Sequence, residues 1–149
     1  MSILLIELIG NPEFNATIWP PHIYVYDDLI IYKKRNWFRL REITISYNQI
    51  ARVTLTRGIF FSHLELETTG DDNIVVKYIS KSKARYAKTI IDQKIYKSHA
   101  KHATVPDKNE GEVYAYEKSI NRLNELLNTG RISKKEFEGK RKELLKGFR

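Results

Sequence analysis

Arg41–Ile79 reads REITISYNQIARVTLTRGIFFSHLELETTGDDNIVVKYI, and its periodicity decides the fold class. Ile43, Ile45, Ile50, Val53, Leu55, Leu64, Leu66, Ile74 and Val76 recur mostly at every second position, which places apolar side chains on one face of a strand. Gly58 and the run Thr69–Gly70–Asp71–Asp72–Asn73 interrupt the pattern where turns are needed, because Gly, Asn and Asp accept the left-handed backbone of tight hairpins. The stretch is predicted to form the centre of an antiparallel β-meander with one buried face.

Working outward toward the N-terminus, Ile3–Ile9 is predicted as a first strand, stopped by Gly10–Asn11–Pro12, and Phe14–Trp19 as a short extended piece ended by Pro20–Pro21. His22–Lys33 (HIYVYDDLIIYK) reads as two short strands around a turn at Asp27–Asp28. Between that pair and the meander lies KKRNWFRLR. Lys33, Lys34, Arg35, Arg39 and Arg41 surround the adjacent aromatics Trp37 and Phe38 at what should be a hairpin end. Cations interleaved with aromatics suit phosphate contact, base stacking or insertion at a lipid headgroup boundary. The simpler expectation is that the two rings pack over the mouth of the sheet while the cations face water.

Toward the C-terminus, Ser80–His99 carries Ala84, Ala87, Ile90, Ile91 and Ile95 near 3.6-residue spacing and is predicted as an amphipathic helix packed on the sheet. Lys81, Lys83, Arg85, Lys88, Lys94 and Lys97 fill the rest of it, either as a solvated face or as a binding one. Residues 102–113 hold a proline, a glycine and several charges and read as a linker. Beyond them, Ile120, Leu123, Leu126 and Leu127 form one helical stripe, and Phe137, Leu144 and Leu145 form another. Asn128–Thr129–Gly130 is a helix stop, and Ser133–Lys134–Lys135–Glu136 has the pattern of a capping box. Together they predict a two-helix hairpin over 114–149.

Charge is unevenly distributed within a net +8. Residues 1–76 hold 7 basic and 9 acidic groups, whereas residues 77–101 hold 8 and 1, so the positive field centres on the first helix. A field of that kind attracts anionic lipid, nucleic acid or acidic protein without choosing among them. With 149 residues the chain accommodates one main domain and a small accessory piece. It has no cysteine, which removes disulfides, thiol nucleophiles and cysteine metal sites from consideration. The apolar start MSILLIELIG includes Glu7 and falls well short of the ~20 residues of a membrane span, so it is read as a strand.

The C-terminal segment resembles the SHOCT module, a short helical hairpin, in Leu123, Leu126, Leu127, Gly130, Ile132, Ser133, Glu136, Phe137, Lys140, Leu144 and Leu145. Thr129 departs from the acidic residue common at that position. The preceding part is similar to bacterial pleckstrin-homology-like (PH-like) domains in Leu29–Ile30–Ile31, the basic Lys33–Arg41 segment, Ile45 through Ile50 to Val53, Arg57–Gly58 and the Lys81–Tyr96 helix. The two resemblances imply an α+β protein. Its PH-like part, residues 1–101, is a strongly bent antiparallel sheet or partly open barrel of about seven strands, capped by one C-terminal helix. A linker over 102–113 and a SHOCT-like hairpin over 114–149 follow, the latter a non-catalytic contact or oligomerisation piece with Ile120, Leu123, Leu127, Ile132, Phe137 and Leu144 as contact residues.

No nucleophile with a base, paired carboxylates or glycine-rich phosphate loop stands out, so no catalytic residue, metal or cofactor is assigned and no small-molecule substrate is expected. His99 and His102 are read as exposed histidines rather than a metal pair. Three functional readings follow. The first is a non-enzymatic protein that binds itself or a protein partner. The second is a peripheral binder of anionic membrane, through Lys33, Lys34, Arg35, Trp37, Phe38, Arg39 and Arg41 together with the Lys81–Lys97 helix, where Lys81, Lys83, Arg85 and Lys88 lead. The third is nucleic-acid binding by the same surfaces. The expected location is cytoplasmic, with peripheral association at the inner membrane face under the second reading.

Overall fold

The computed structural model describes residues 1–99 and 110–147, which fall into two compact units, Met1–Ala103 and Thr104–Arg149. In the first unit, β1 (Leu4–Ile9), β2 (His22–Tyr26), β3 (Leu29–Asn36) and β4 (Arg39–Ser46) form a four-stranded antiparallel sheet in that order. A 3-10 turn, Tyr47–Gln49, leads to a three-stranded antiparallel sheet of β5 (Ile50–Arg57), β6 (Phe61–Thr68) and β7 (Ile74–Ser80). Helix α1 (Lys81–His99) follows β7 directly. The expected α+β architecture, seven antiparallel strands closed by a helix, is what forms.

Alternation of side chains along each strand builds the core. Leu5, Leu8, Ile23, Val25, Ile30, Ile45, Leu64, Leu66, Ile74, Val76 and Ile79 are buried, and their strand neighbours are more exposed except in β1, where the register shifts and Ile6 is buried beside Leu5. Burying one such side chain contributes about 1.5–3 kcal/mol. Helix α1 lays Ala84, Ala87, Ile90 and Ile91 against β5, β6, β1, β7 and the 3-10 turn. Its two alanines allow close approach of helix to sheet. Ile43 and Leu55, expected inside, are half-buried.

At the opposite corner the sheets are tied by Asn11 N donating to Tyr78 O (2.9 Å) and Asn15 Nδ2 donating to Lys77 O (3.1 Å). A Cβ on Gly10 would stand 2.9 Å from Lys77 O, so glycine is what lets the chain pass. Residues 14–19 are not extended as predicted. Asn11 Oδ1 accepts from Glu13 N and Phe14 N, and Asn15 N and Thr17 N bond back to Asn11 O and Pro12 O, winding the segment into a turn. The signal was Asn-Pro: an Asn cap followed by proline starts helical turns as readily as it ends strands.

The second unit contains α2 (Glu110–Asn128) and α3 (Lys134–Lys146), which pack on each other. Gly130 has φ +71°, Arg131 N bonds to Leu126 O (2.9 Å) and Gly130 N to Leu127 O (3.1 Å), a Schellman stop for α2. The capping box at the start of α3 is present: Glu136 N donates to Ser133 Oγ (3.3 Å) and Ser133 N to Glu136 Oε2 (2.7 Å). The linker predicted over 102–113 is shorter at its C-terminal end, since α2 begins at Glu110 and Val113 is buried. Glu110 and Glu112 favour a helix N-terminus electrostatically, which their linker-like composition concealed. Residues 102–109, including His102, lie outside the described residues.

Candidate interaction surface

The β3–β4 hairpin projects beyond the core, and from Lys34 to Glu42 every residue is exposed. At its apex Trp37 and Phe38 are 71% and 90% exposed and lie edge to face, 5.8 Å apart. The expectation that these rings cover the mouth of the sheet is therefore overturned. Trp37 also has φ +47°, a backbone region costly for a bulky residue, and the tight apex imposes it.

Two other loops reach the same end of the domain. In the β1–β2 loop, Trp19 stacks under the Arg35 guanidinium at 4.9 Å, which ties that loop to the β3 tip. Phe14, from the same loop, meets Phe61 at 4.9 Å and Tyr78 at 5.5 Å, which ties it to the start of β6 and the end of β7. The short turn just before β6 holds Ile59 and Phe60, 84% and 78% exposed, and Ile18 in the β1–β2 loop is 82% exposed. The apolar side chains of this unit that are more than half exposed, Met1 apart, are Phe14, Ile18, Trp37, Phe38, Leu40, Ile59 and Phe60. All of them lie in or beside these three loops.

The cations divide into partnered and open ones. On the outer sheet face, Lys33 Nζ contacts Glu42 Oε2 at 3.0 Å and lies 5.7 Å from the Tyr24 ring; the Glu42 hydrogen bond holds its pKa above the usual lysine value. Arg41 is paired with Asp72. Lys34, Arg35 and Arg39 are exposed and have no acidic partner among the described residues. Along α1, Lys81 and Lys83 open the helix next to the Phe61–Ser80 pairing, at the same end as the three loops. Arg85 is exposed one turn further along, and Lys88 is occupied by Asp92. Lys94 and Lys97 line a cleft with Asp27, Asp28 and Asn48 toward the other end. The two basic segments are thus joined at one end of α1 only.

In the second unit, Ile120, Leu123 and Phe137 are buried, while Leu127, Ile132 and Leu144 are half-buried. Leu123, Leu126 and Leu144 line an open groove of about 520 Å³ between α2 and α3, rimmed by Arg122, Lys140 and Glu143. Tyr116, buried near Arg141 and Glu138, has its hydroxyl pKa pushed well above the usual value by desolvation.

Ile18, Trp19, Leu40, Ile59 and Phe60 were not anticipated as site residues. Ile59–Phe60 did carry a signal, because two large apolar residues after Gly58 occupy turn positions where polar residues are usual.

A family model described as bacterial PH domain matches residues 14–93, over half of the chain. The chain belongs to the bacterial PH domain family. No curated protein and no solved structure matches it. The match spans the β1–β2 loop through most of α1, and hence all three loops of the exposed end. It indicates no catalytic family, and PH-type domains are in general modules that bind proteins or lipids. Among the described residues no three metal-ligating side chains converge, and no helix is long and apolar enough to cross a membrane.

Proposed function

We propose that this bacterial PH domain is a non-catalytic module that docks on anionic membrane surfaces through its three-loop end. The supporting observation is the combination at one end of Trp37, Phe38, Ile18, Ile59 and Phe60, all exposed, with Lys34, Arg35, Arg39, Lys81 and Lys83 beside them. Aromatic and aliphatic side chains at loop tips gain by entering the headgroup boundary. Cations close by are attracted to acidic lipid at about 1 kcal/mol each near the surface. Nucleic-acid binding would need bases stacked on Trp37 and Phe38, but Ile18, Ile59 and Phe60 give an aliphatic character that hydrocarbon matches better than a polyanion does.

Co-sedimentation of the full chain with vesicles tests this directly. Binding is expected when phosphatidylglycerol is present, to weaken as salt rises, and to fall in Trp37→Ala/Phe38→Ala. Equal binding to neutral and acidic vesicles would reject it.

The α2–α3 groove favours a second reading, self-association through the SHOCT-like hairpin. An apolar channel lined by Leu123, Leu126 and Leu144 leaves oily surface uncovered in a unit too small to bury much of its own. Light scattering of the full chain at high concentration should then give more than the monomer mass, reverting to monomer in Leu126→Glu. A monomer throughout would remove this reading and leave the membrane one intact.

A further inference from the structure

Strands β6 and β7 pair Ser62 with Ile79 and Leu64 with Val76, so His63 alone stands opposite two residues, Lys77 and Tyr78. A bulge of this kind bends the strand, and where its first residue is left-handed that residue is usually glycine. Here the left-handed residue is Tyr78, at φ +58°. A bulky side chain in that region is strained, and such strain persists only where the surrounding contacts hold it.

Those contacts converge on the bulge. Tyr78 N donates to His63 Nδ1 at 3.1 Å, and Tyr78 O accepts from Asn11 N at 2.9 Å. The carbonyl of Lys77 accepts from Asn15 Nδ2 at 3.1 Å. The Tyr78 ring lies edge to face with the His63 ring at 5.0 Å and meets Phe14 at 5.5 Å. The β1–β2 loop is thus fastened to the second sheet through the bulge, and its other tie is Trp19 under Arg35.

The bond to His63 depends on protonation. Nδ1 accepts, so the imidazole is neutral and carries its proton on Nε2. A second proton would sit on Nδ1, set two donors against each other and leave the Tyr78 N–H without its acceptor. Histidine is the side chain whose charge changes between about pH 5 and 8. The bond is therefore present at neutral pH and lost on acidification. The titratable groups around His63 are Glu65, two residues along β6 on the same face, and Lys77 and Tyr78 across from it on β7; Thr56 faces it from β5 and is uncharged. Glu13 precedes Phe14 in the loop packed on Tyr78, and α1 packs on the opposite face of the sheet, the one that carries Leu64 and Leu66.

We infer that His63 is a pH-operated latch for the β1–β2 loop: the neutral ring holds Tyr78 in the bulge to which the loop is fastened, and the protonated ring releases both. The latch stands on contacts within the domain alone. Only its consequence rests on the membrane proposal: release frees residues 14–18, with the exposed Ile18, from their place at the three-loop end, while Trp19 stays on Arg35.

The test uses the full chain, and thermal melts verify the folding of each variant. Nuclear Overhauser contacts between the Phe14 and Tyr78 rings, and hydrogen exchange at Asn11 N, are followed from about pH 7.5 to about pH 5.5. In the parent chain the ring contacts should fade as His63 takes up its proton, and Asn11 exchange should accelerate by about tenfold beyond its intrinsic pH dependence. His63→Asn and His63→Gln supply an acceptor that does not titrate and should hold both readouts at their neutral-pH values. His63→Leu has no acceptor and should give the released values at either pH, whereas His22→Asn, on the other sheet, should leave the response intact. Ring contacts that persist while His63 protonates, a His63 ring that stays neutral throughout, or contacts that fade equally in His63→Asn and His63→Gln would each overturn the latch. Co-sedimentation with phosphatidylglycerol vesicles is compared at the same two pH values, the parent being expressed relative to His63→Asn so that the remaining histidines cancel. That ratio should fall by about threefold at the acidic end. An unchanged ratio beside an intact ring response would keep the latch and overturn its bearing on the membrane. Failure of the parent chain to bind vesicles at neutral pH would sink the membrane proposal, while the resonances would still decide the latch.

Discussion

The two ends of the PH unit solve the same problem with opposite chemistry. At one end the connections are Asp27–Asp28, Tyr47–Asn48–Gln49 and Thr69–Gly70–Asp71–Asp72–Asn73, and their polar atoms are put to structural use. Asp27 Oδ1 accepts from Ile3 N (2.7 Å), Ser46 N donates to Gln49 Oε1 (3.0 Å), and Tyr47 donates its hydroxyl proton to Tyr26 O. At the other end the turns hold Trp37–Phe38 and Ile59–Phe60, which face solvent and contribute little to the core. Turn residues that bond the backbone are explained by folding alone. Large apolar residues clustered at turns are not, and a concentration of them beside cations marks a contact surface.

The largest effect that would sharpen the contrast is at the apex. Trp37→Ala/Phe38→Ala should weaken binding to acidic vesicles by at least about tenfold, or 1.4 kcal/mol, with an unchanged melting temperature, because two exposed rings lose hydrocarbon contact and no core contact. Co-sedimentation paired with calorimetry measures both. Asp27→Ala should do the reverse: vesicle binding stays, and chemical denaturation shows a loss of about 1–2 kcal/mol as the part-buried Ile3 N–H loses its acceptor. If Asp27→Ala impaired binding as much as the apex variant did, the division of labour between the ends would be wrong. Ile59→Ser/Phe60→Ser should lower vesicle affinity by a smaller factor, about threefold, if the β5–β6 turn flanks the contact rather than leading it.

Trp37→Gly separates strain from contact. Glycine accepts φ +47° without penalty, so stability should hold or rise by up to about 1 kcal/mol while vesicle binding falls. The smallest effect is in the second unit. Two hydrogen bonds from Ser133 lower the pKa of Glu136 below the ordinary carboxylate value. A depressed folded-state pKa stabilises above the unfolded value and loses that stabilisation as pH falls through the folded one. Helicity of the parent chain should therefore decline slightly more than that of Glu136→Gln as pH drops through the acidic carboxylate range, as circular dichroism would register.

Much of this was legible in the residues. Period-two alternation from Ile43 to Val76 specified the meander, because burial leaves only one face available to apolar side chains, and Asp27–Asp28 specified the turn between β2 and β3. Gly130 and the Ser133–Glu136 pair specified the boundary between α2 and α3, since each fixes a backbone geometry locally. What sequence reasoning missed depended on three-dimensional placement. Nothing local in Trp37–Phe38 distinguishes rings that fold over a sheet from rings that stand off it. That outcome follows from how far the β3–β4 hairpin outruns the core. The gathering of Phe14, Ile18 and Ile59–Phe60 with that hairpin arises from long-range contacts, Phe14 with Phe61 and Trp19 with Arg35, that no spacing encodes. The pairing of Arg41 with Asp72 was hidden for the same reason.

One measurement bears most directly on the three-loop end. The chain has two tryptophans, Trp19 and Trp37, so Trp19→Phe leaves the apex ring as the sole reporter and keeps an aromatic under Arg35. On addition of phosphatidylglycerol vesicles, its emission should shift to shorter wavelength and be quenched by brominated acyl chains. Emission that stays at the fully hydrated wavelength while the protein sediments with the vesicles would show that some other face makes the contact.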